Sequence, residues 1–303
     1  MAFNTRSAAA RTSEAAVVLE RMAAMDTVIF DCDGVIWRGG NKIEGADECI
    51  RHLEESGKRV FYLTNNSAKS RQGCANKLAS LVGVAASTDQ IIASSSSAAA
   101  YLGDQGFDKQ SKVLVIGQEG IHAELREAGF QSLRCEDLVE ETSPQCSIAE
   151  FEGIPVDETV RAVVAGVDDA FSYRKLCLAS LYLRSDPTRL FVATNRDVGD
   201  RVGTDGRLIP GAGPVVAALE SAAGRCAVNV GKGGTWLLPF LTEKFQLDVA
   251  RTCVVGDRLD TDIALGKASG MLTILPLTGV TTEEELQTCP ADQAPDLVVG
   301  SIA

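Results

Sequence analysis

A chain of 303 residues, 45% of them hydrophobic, is long enough to bury two ordinary cores, which excludes a disordered or fibrous protein. Asp+Glu 41 against Lys+Arg 29 leave a net charge of -12, a balance that repels nucleic-acid phosphates and acidic membrane surfaces. No run nears the roughly 18 uninterrupted apolar residues of a membrane helix, so neither nucleic acid nor membrane is expected as a partner.

The first thirteen residues, MAFNTRSAAARTS, contain two Arg and no acid, a composition shared by organelle transit peptides and by frayed helical ends. Chloroplast stroma and cytoplasm both fit. The nine cysteines, without C-x-x-C pairs, read as reduced intracellular thiols. Only His52 and His122 occur, which excludes a histidine-rich metal centre. From Thr27, TVIFDCDGV is a short apolar run ending in acids, the pattern of a buried parallel strand that opens onto a loop. RVFYLTNNS at 59–67, AVNVGKGG at 227–234, RTCVVGDRLD at 251–260 and MLTILPLTGV at 271–280 repeat it. Helical stretches separate these runs, predicting a parallel sheet whose polar strand ends share one edge. SSSSAAA at 94–100 suits a helix start.

Three further strands, SKVLVIG at 111–117, RAVVAGVDD at 161–169 and RLFVATNRD at 189–197, interrupt that series, and IPGAGP at 209–214 marks the return. The expectation is an α/β protein: a Rossmann-like doubly wound parallel core with an inserted α/β domain. Its boundaries are placed at 1–25 for an N-terminal extension, 26–106 and 209–303 for the discontinuous core, and 107–208 for the insert.

Cleaving a phosphate ester with a carboxylate needs a nucleophile, a proton donor for the leaving oxygen, a cation and donors to the phosphoryl oxygens. Asp31 and Asp33 supply the first two, and Gly34 after them permits a tight turn. Thr64, Asn65 and Asn66 offer hydroxyl, amide and backbone donors, Lys232 a cation, and Asp257 a further carboxylate for a metal. Singly, each has a plainer role: turn acids, a helix N-cap, a solvated lysine, and for Asp260 a helix cap. Their joint placement on four strand ends of one sheet edge favours a single site.

DCDGV at 31–35, TNNS at 64–67, GKGG at 231–234 and GDRLDTD at 256–262 resemble the four ordered motifs of haloacid dehalogenase-like phosphatases. FDCDGVIW, TNNSAKSR, ATNRD and GDRLDTDI further resemble the phosphoglycolate phosphatases of photosynthetic eukaryotes and their 4-nitrophenyl- and pyridoxal-phosphatase relatives. The resemblance implies that Asp31 is the nucleophile and Asp33 the general acid/base. It also implies Mg²⁺ held by the Asp31 carboxylate, the Asp33 backbone carbonyl and Asp257, with Asp262 supporting a metal-bound water. Thr64, Asn65, Asn66 and Lys232 would bind the phosphate of a small metabolite, foremost 2-phosphoglycolate, in a homodimer formed through the insert, or cap.

Two departures stand out. Close relatives usually follow the motif lysine with proline, whereas Gly233 and Gly234 follow here, which suggests a looser loop. Many animal relatives carry a histidine where Ala170 stands, so a pyridoxal-phosphate substrate loses a stacking partner. Arg196 is a candidate for a substrate carboxylate or an exposed structural arginine. Cys32 to Arg38 matches the C-x5-R spacing of cysteine-dependent phosphatases, but an acid follows the thiol. A P-loop nucleotidase fails because Lys232 lacks the following Ser/Thr. A binding module on a retired enzyme fold would lack a motif acid, and none is missing. Cys32, beside the nucleophile, is a candidate for inhibitory oxidation.

Overall fold

In a computed structural model of the chain, which describes residues 17–139, 145–202 and 207–303, two parallel sheets stand on one polypeptide. The first has six strands in the spatial order Leu297–Val299, Leu272–Pro276, Thr252–Val255, Thr27–Phe30, Arg59–Thr64, Ile91–Ala93. Thr27–Phe30 is buried along its whole length, as a central strand covered on both faces must be. Phe30 lies opposite Val255 on one side and Tyr62 on the other. That register brings the C-terminal ends of these strands, with Asp31, Asp257 and Thr64, to one edge. The chain runs outward from the central strand in one direction and returns on its other side, so the acids flank the point where strand order reverses.

The second sheet runs Val228–Asn229, Leu190–Ala193, Val160–Ala165, Lys112–Ile116, Gln131–Leu133, again parallel. Successive side chains alternate between its faces. Leu114 and Ile116 join one core with Leu178, Tyr182 and Leu219, whereas Val113 and Val115 join another with Ala98 and Leu102.

Two expected boundaries shift. Val228 pairs with Val192 and Asn229 with Ala193, so the run at 227–234 belongs to the second sheet and not to the first. A two-residue ladder carries no periodicity that says which sheet it will join. Helix Ala212–Ala223 buries Val215, Val216 and Leu219 against the second sheet as well, and helix Ser94–Asp104 covers that sheet's opposite face. The second unit therefore takes in segments on both sides of 107–208. IPGAGP at 209–214 ends an antiparallel hairpin, Gly199–Val202 with Arg207–Pro210, before that helix begins.

Toward the N-terminus, residues 17–23 are helical, and Met22 and Met25 pack on the first core, so the end of the expected extension is part of the fold. The transit-like residues 1–13 lie outside the described residues. No helix among the described residues is long and apolar enough to cross a membrane.

Candidate active site

The edge of the first sheet opens into a cavity of about 240 Å³ lined by Asp31, Asp33, Thr64, Asn65, Asn66, Lys232 and Asp257. All seven sequence-predicted residues that were to face a substrate or metal thus meet in one place. Asp262 lies beside them, 1% exposed, on the irregular helical turn Leu259–Ile263.

Lys232 ties the site together. Its ammonium donates to Asp31 Oδ1 and, at 2.7 Å, to Asp262 Oδ1. Burial works against its charge, but Asp262 and Asp31 outweigh that and raise the lysine above its ordinary value. Asp31 is also held well above the usual carboxylate range, because burial and the neighbouring Asp262 and Asp257 outweigh the pull of Lys232. Asp257 is pushed to about 7 by burial, with Asp262 adding to the effect. Three carboxylates so crowded in a dry place call for positive charge beyond one lysine.

Oxygen atoms of Asp31, Asp257 and Asp262 lie within 4.8 Å of one another. One oxygen of Asp257 accepts the Val280 N–H at 2.6 Å, while the other, Oδ1, is buried with no hydrogen-bond partner among the described residues. Such an orphaned carboxylate oxygen in an all-oxygen donor set fits a hard divalent cation. Asp262, expected to act at one remove, contributes its own carboxylate to this cluster.

Asp33 faces a different way. Its Oδ1 accepts the Trp37 indole N–H at 2.7 Å, and the Lys77 ammonium is 3.7 Å from the same oxygen. The side chain is 38% exposed, far more than that of Asp31, so it keeps contact with the cavity while one oxygen is pinned. The positive φ of Gly34, 89°, turns the chain directly after it into the hairpin that carries Trp37.

The polar strand end at 64–66 divides its labour. Thr64 Oγ1 accepts the Asn66 N–H at 3.1 Å, and Asn66 Oδ1 accepts the Ala68 N–H at 3.0 Å, which shapes the loop. Both ends of the Asn65 amide are already engaged, its oxygen by the Lys232 N–H at 2.8 Å and its nitrogen by Asp197 at 2.8 Å. The Asn65 side chain therefore braces the lysine loop while the residue still lines the cavity. That loop is also tighter than its glycines suggested. Gly231 N–H caps on Asn229, Gly234 N–H bonds Gly231, and Gly233 has φ 85°, a conformation closed to proline.

Asp260 does not cap a helix; its carboxylate pairs with Arg258 at 3.2 Å. Arg196 turns away from the cavity onto Glu220 and the Ala227 carbonyl, as a structural arginine. Ala170 is exposed and is not among the residues lining the cavity. Cys32 is completely buried and its thiol is raised well above its ordinary value by burial and by Asp31, while Arg38 is exposed on the hairpin, so no thiolate phosphate loop exists here.

Among the lining residues that escaped the sequence reading, three are charged: Asp197, Asp200 and Arg258. Asp197 and Asp200 are raised, both mainly by burial. Arg258 reaches the Gly199 carbonyl at 3.0 Å, linking the metal-side loop to the hairpin above it. Asp197 and Arg258 stand inside quoted motifs, ATNRD and GDRLDTD, but nothing in the sequence marks Asp200.

Residues 28–131 match the haloacid dehalogenase-like hydrolase family, and residues 229–303 match a second family described as HAD-hydrolase-like. The chain is 43% identical over 263 residues to phosphoglycolate phosphatase 2 of Arabidopsis thaliana, covering 87% of this chain and 86% of that one. It is 41% identical over 290 residues to the glycerol-3-phosphate phosphatase of Gallus gallus, covering 93% and 91%. A glycerol phosphate phosphatase from Mycobacterium tuberculosis, solved in complex with magnesium, superposes with a TM-score of 0.74 at 27% identity, covering 93% of this chain and 76% of that one. Motifs, sheet topology and relatives agree that the chain belongs to the haloacid dehalogenase-like hydrolase family and is one of its phosphatases.

Proposed function

We propose that this phosphatase is Mg²⁺-dependent, works through an aspartyl-phosphate on Asp31, and acts chiefly on 2-phosphoglycolate. The observation that carries the reading is the pairing of a buried Asp31, fixed by Lys232, with a more exposed Asp33 held by Trp37 at the same cavity. Two carboxylates in such unlike surroundings suit two different tasks.

One Asp31 oxygen attacks phosphorus, the P–O bond to the alcohol breaks, and Asp33 delivers its proton to the departing oxygen. Lys232, the Thr64 hydroxyl and the 64–66 loop, all lining the cavity, would face the transferred group. A water then attacks the phosphoryl group on Asp31, Asp33 accepts its proton, and phosphate leaves with Asp31 restored. Asp31, Asp257 and Asp262, with the Asp33 carbonyl, would hold the cation, which offsets charge on the phosphoryl oxygens.

The size of the cavity supports a small substrate. About 240 Å³ falls below the ordinary ligand-pocket range and favours a short alcohol over a pyridoxal or nucleoside group. The Arabidopsis relative's name points to phosphoglycolate. A second reading, glycerol phosphate, draws on Asp197 and Asp200 in the cavity wall, which suit hydroxyls better than a substrate carboxylate. The test is turnover of both esters and pyridoxal phosphate, with Mg²⁺ present or chelated, in wild type and Asp31→Asn. Phosphoglycolate should lead by about tenfold in kcat/KM, roughly 1.4 kcal/mol. Equal turnover with Asp31→Asn or after chelation would refute the mechanism, and a tenfold lead for another ester would refute only the substrate.

A further inference from the structure

Away from the catalytic cavity, and sharing none of its lining residues, a second cavity of about 300 Å³ opens between helices Ser94–Asp104, Glu119–Glu127 and Leu237–Phe245. The first two helices pack on the second sheet, whereas the third joins the core of the first. The cavity thus sits where the two units meet.

Its electrostatics run against those of the whole chain. Arg71, Lys109 and Lys244 face Glu124 and Glu127, three cations against two acids, a local balance of +1 on a protein of net charge -12. Arg71 is used up on both acids, at 2.9 Å from Glu124 and 2.8 Å from Glu127. Lys109 donates to the Ala128 carbonyl and lies 3.8 Å from the Phe130 ring centroid. Lys244 makes no ion pair or hydrogen bond among the described residues; its ammonium lies 5.3 Å and 5.4 Å from the ring centroids of Phe240 and Phe245. Partial burial, aided by Arg71, lowers its proton affinity, and Asp89 and Glu124 only partly offset this.

The remaining walls are apolar, with Ile92, Phe130 and Phe240 prominent. Ser97 in that wall is 2% exposed, and its hydroxyl has no hydrogen-bond partner among the described residues. A formed cavity with aromatic walls, one cation without an ion-pair or hydrogen-bond partner among the described residues and one unsatisfied hydroxyl has the make-up of a ligand site.

We propose that this cavity binds a small amphiphilic anion, a single carboxylate or phosphate group on a compact aromatic body, with the anion at Lys244 and the body against Phe130 and Phe240. Charge and apolar surface are both required, because an isolated exposed ion pair contributes little and the cavity is too small for apolar burial alone to give tight binding.

The experiment is calorimetric titration of the full chain with 2-naphthoate and with its uncharged counterpart, 2-naphthalenemethanol. Two variants accompany it: Lys244→Met, which keeps the stem and removes the charge, and Ala100→Phe, which fills the cavity. Neither residue lines the catalytic cavity, so both variants should keep wild-type turnover. Wild type should bind naphthoate at least about tenfold more tightly than the alcohol, Lys244→Met should lose that preference, and Ala100→Phe should lose binding. No wild-type binding at about 1 mM, or equal binding by Lys244→Met, would overturn the proposal. If Ala100→Phe fails to fold, Lys244→Met decides alone.

Discussion

The backbone N–H of Lys232 donates to the side-chain oxygen of Asn65 at 2.8 Å, a bond between residues 167 apart in the chain. The other end of the same amide holds Asp197, and the Asn65 carbonyl accepts from Ser94 and Asn195, both at 2.6 Å. Asn65→Ala would leave the buried Lys232 N–H and Asp197 without these partners, at a cost of about 1–3 kcal/mol for each unsatisfied group. A lysine displaced by about 1 Å can lower turnover roughly a hundredfold. Steady-state kinetics of Asn65→Ala should therefore show the loss mainly in kcat, along with a lower unfolding midpoint. A rise confined to KM would mean that the amide contacts substrate instead.

Asp257 sits in a cradle that admits no side chain on either flank. A Cβ at Gly279 would lie 1.8 Å from its Oδ2, and one at Gly34 would lie 2.4 Å from the same atom. Gly279→Ala must push the carboxylate off the Val280 N–H and out of line with Asp31 and Asp262. The Mg²⁺ concentration for half-maximal activity should rise by about 10–100-fold, the range seen when support of a metal ligand is lost. An unchanged metal titration would remove Asp257 from the metal site.

Oxidation at Cys32 follows a simple expectation. The thiol is fully buried and its proton is held more tightly than usual, so the reactive thiolate is scarce. Peroxide inactivation rates should be the same in wild type and Cys32→Ser. A several-fold slower inactivation of the variant would show that the thiol is reached after all.

His122 sets a pH dependence of stability. It is 4% exposed, its Nδ1 is 2.9 Å from Ser132 Oγ, and burial, aided by Arg134, holds its proton affinity below the ordinary value. The unfolded chain takes up this proton near pH 6.5 while the folded chain resists it. The contribution is therefore complete above about pH 6.5 and declines as pH falls from there toward the lower folded-state value, by at most about 1.4 kcal/mol per pH unit. Urea denaturation at pH 7 and pH 5 should show a smaller drop for His122→Asn than for wild type. Equal drops would assign the loss to carboxylates elsewhere.

Much of this site was legible because strand ends are chemically loud. Apolar runs that stop in DCDGV, TNNS and GDRLDTD announce both a buried strand and its exposed mouth, and a parallel sheet gathers those mouths without further information. The meeting of Asp31 and Asp257 follows from that rule, whereas Asp262, on the helical turn after its strand, was implied by the family resemblance and only at one remove. What stayed hidden depends on how the second sheet docks. Asp200 reaches the cavity from a hairpin whose strands carry no strong pattern, and the use of Asn65 as a brace appears only once Lys232 and Asp197 are brought to it. Val228–Asn229 was read as a core strand because two ladder residues look alike in either sheet.

That short strand has a practical consequence for recombination. Lys232 follows it by three residues, so the lysine is delivered by the second sheet although it serves the acids of the first. A chimaera that exchanges only 107–208 with a relative would part helices Ser94–Asp104 and Ala212–Ala223, and Val228–Asn229, from the sheet they were selected to cover. Crossovers after Ala93 and beyond Gly234 transplant the unit whole, and with it the lysine, so any exchange of substrate preference carries part of the catalytic machinery along.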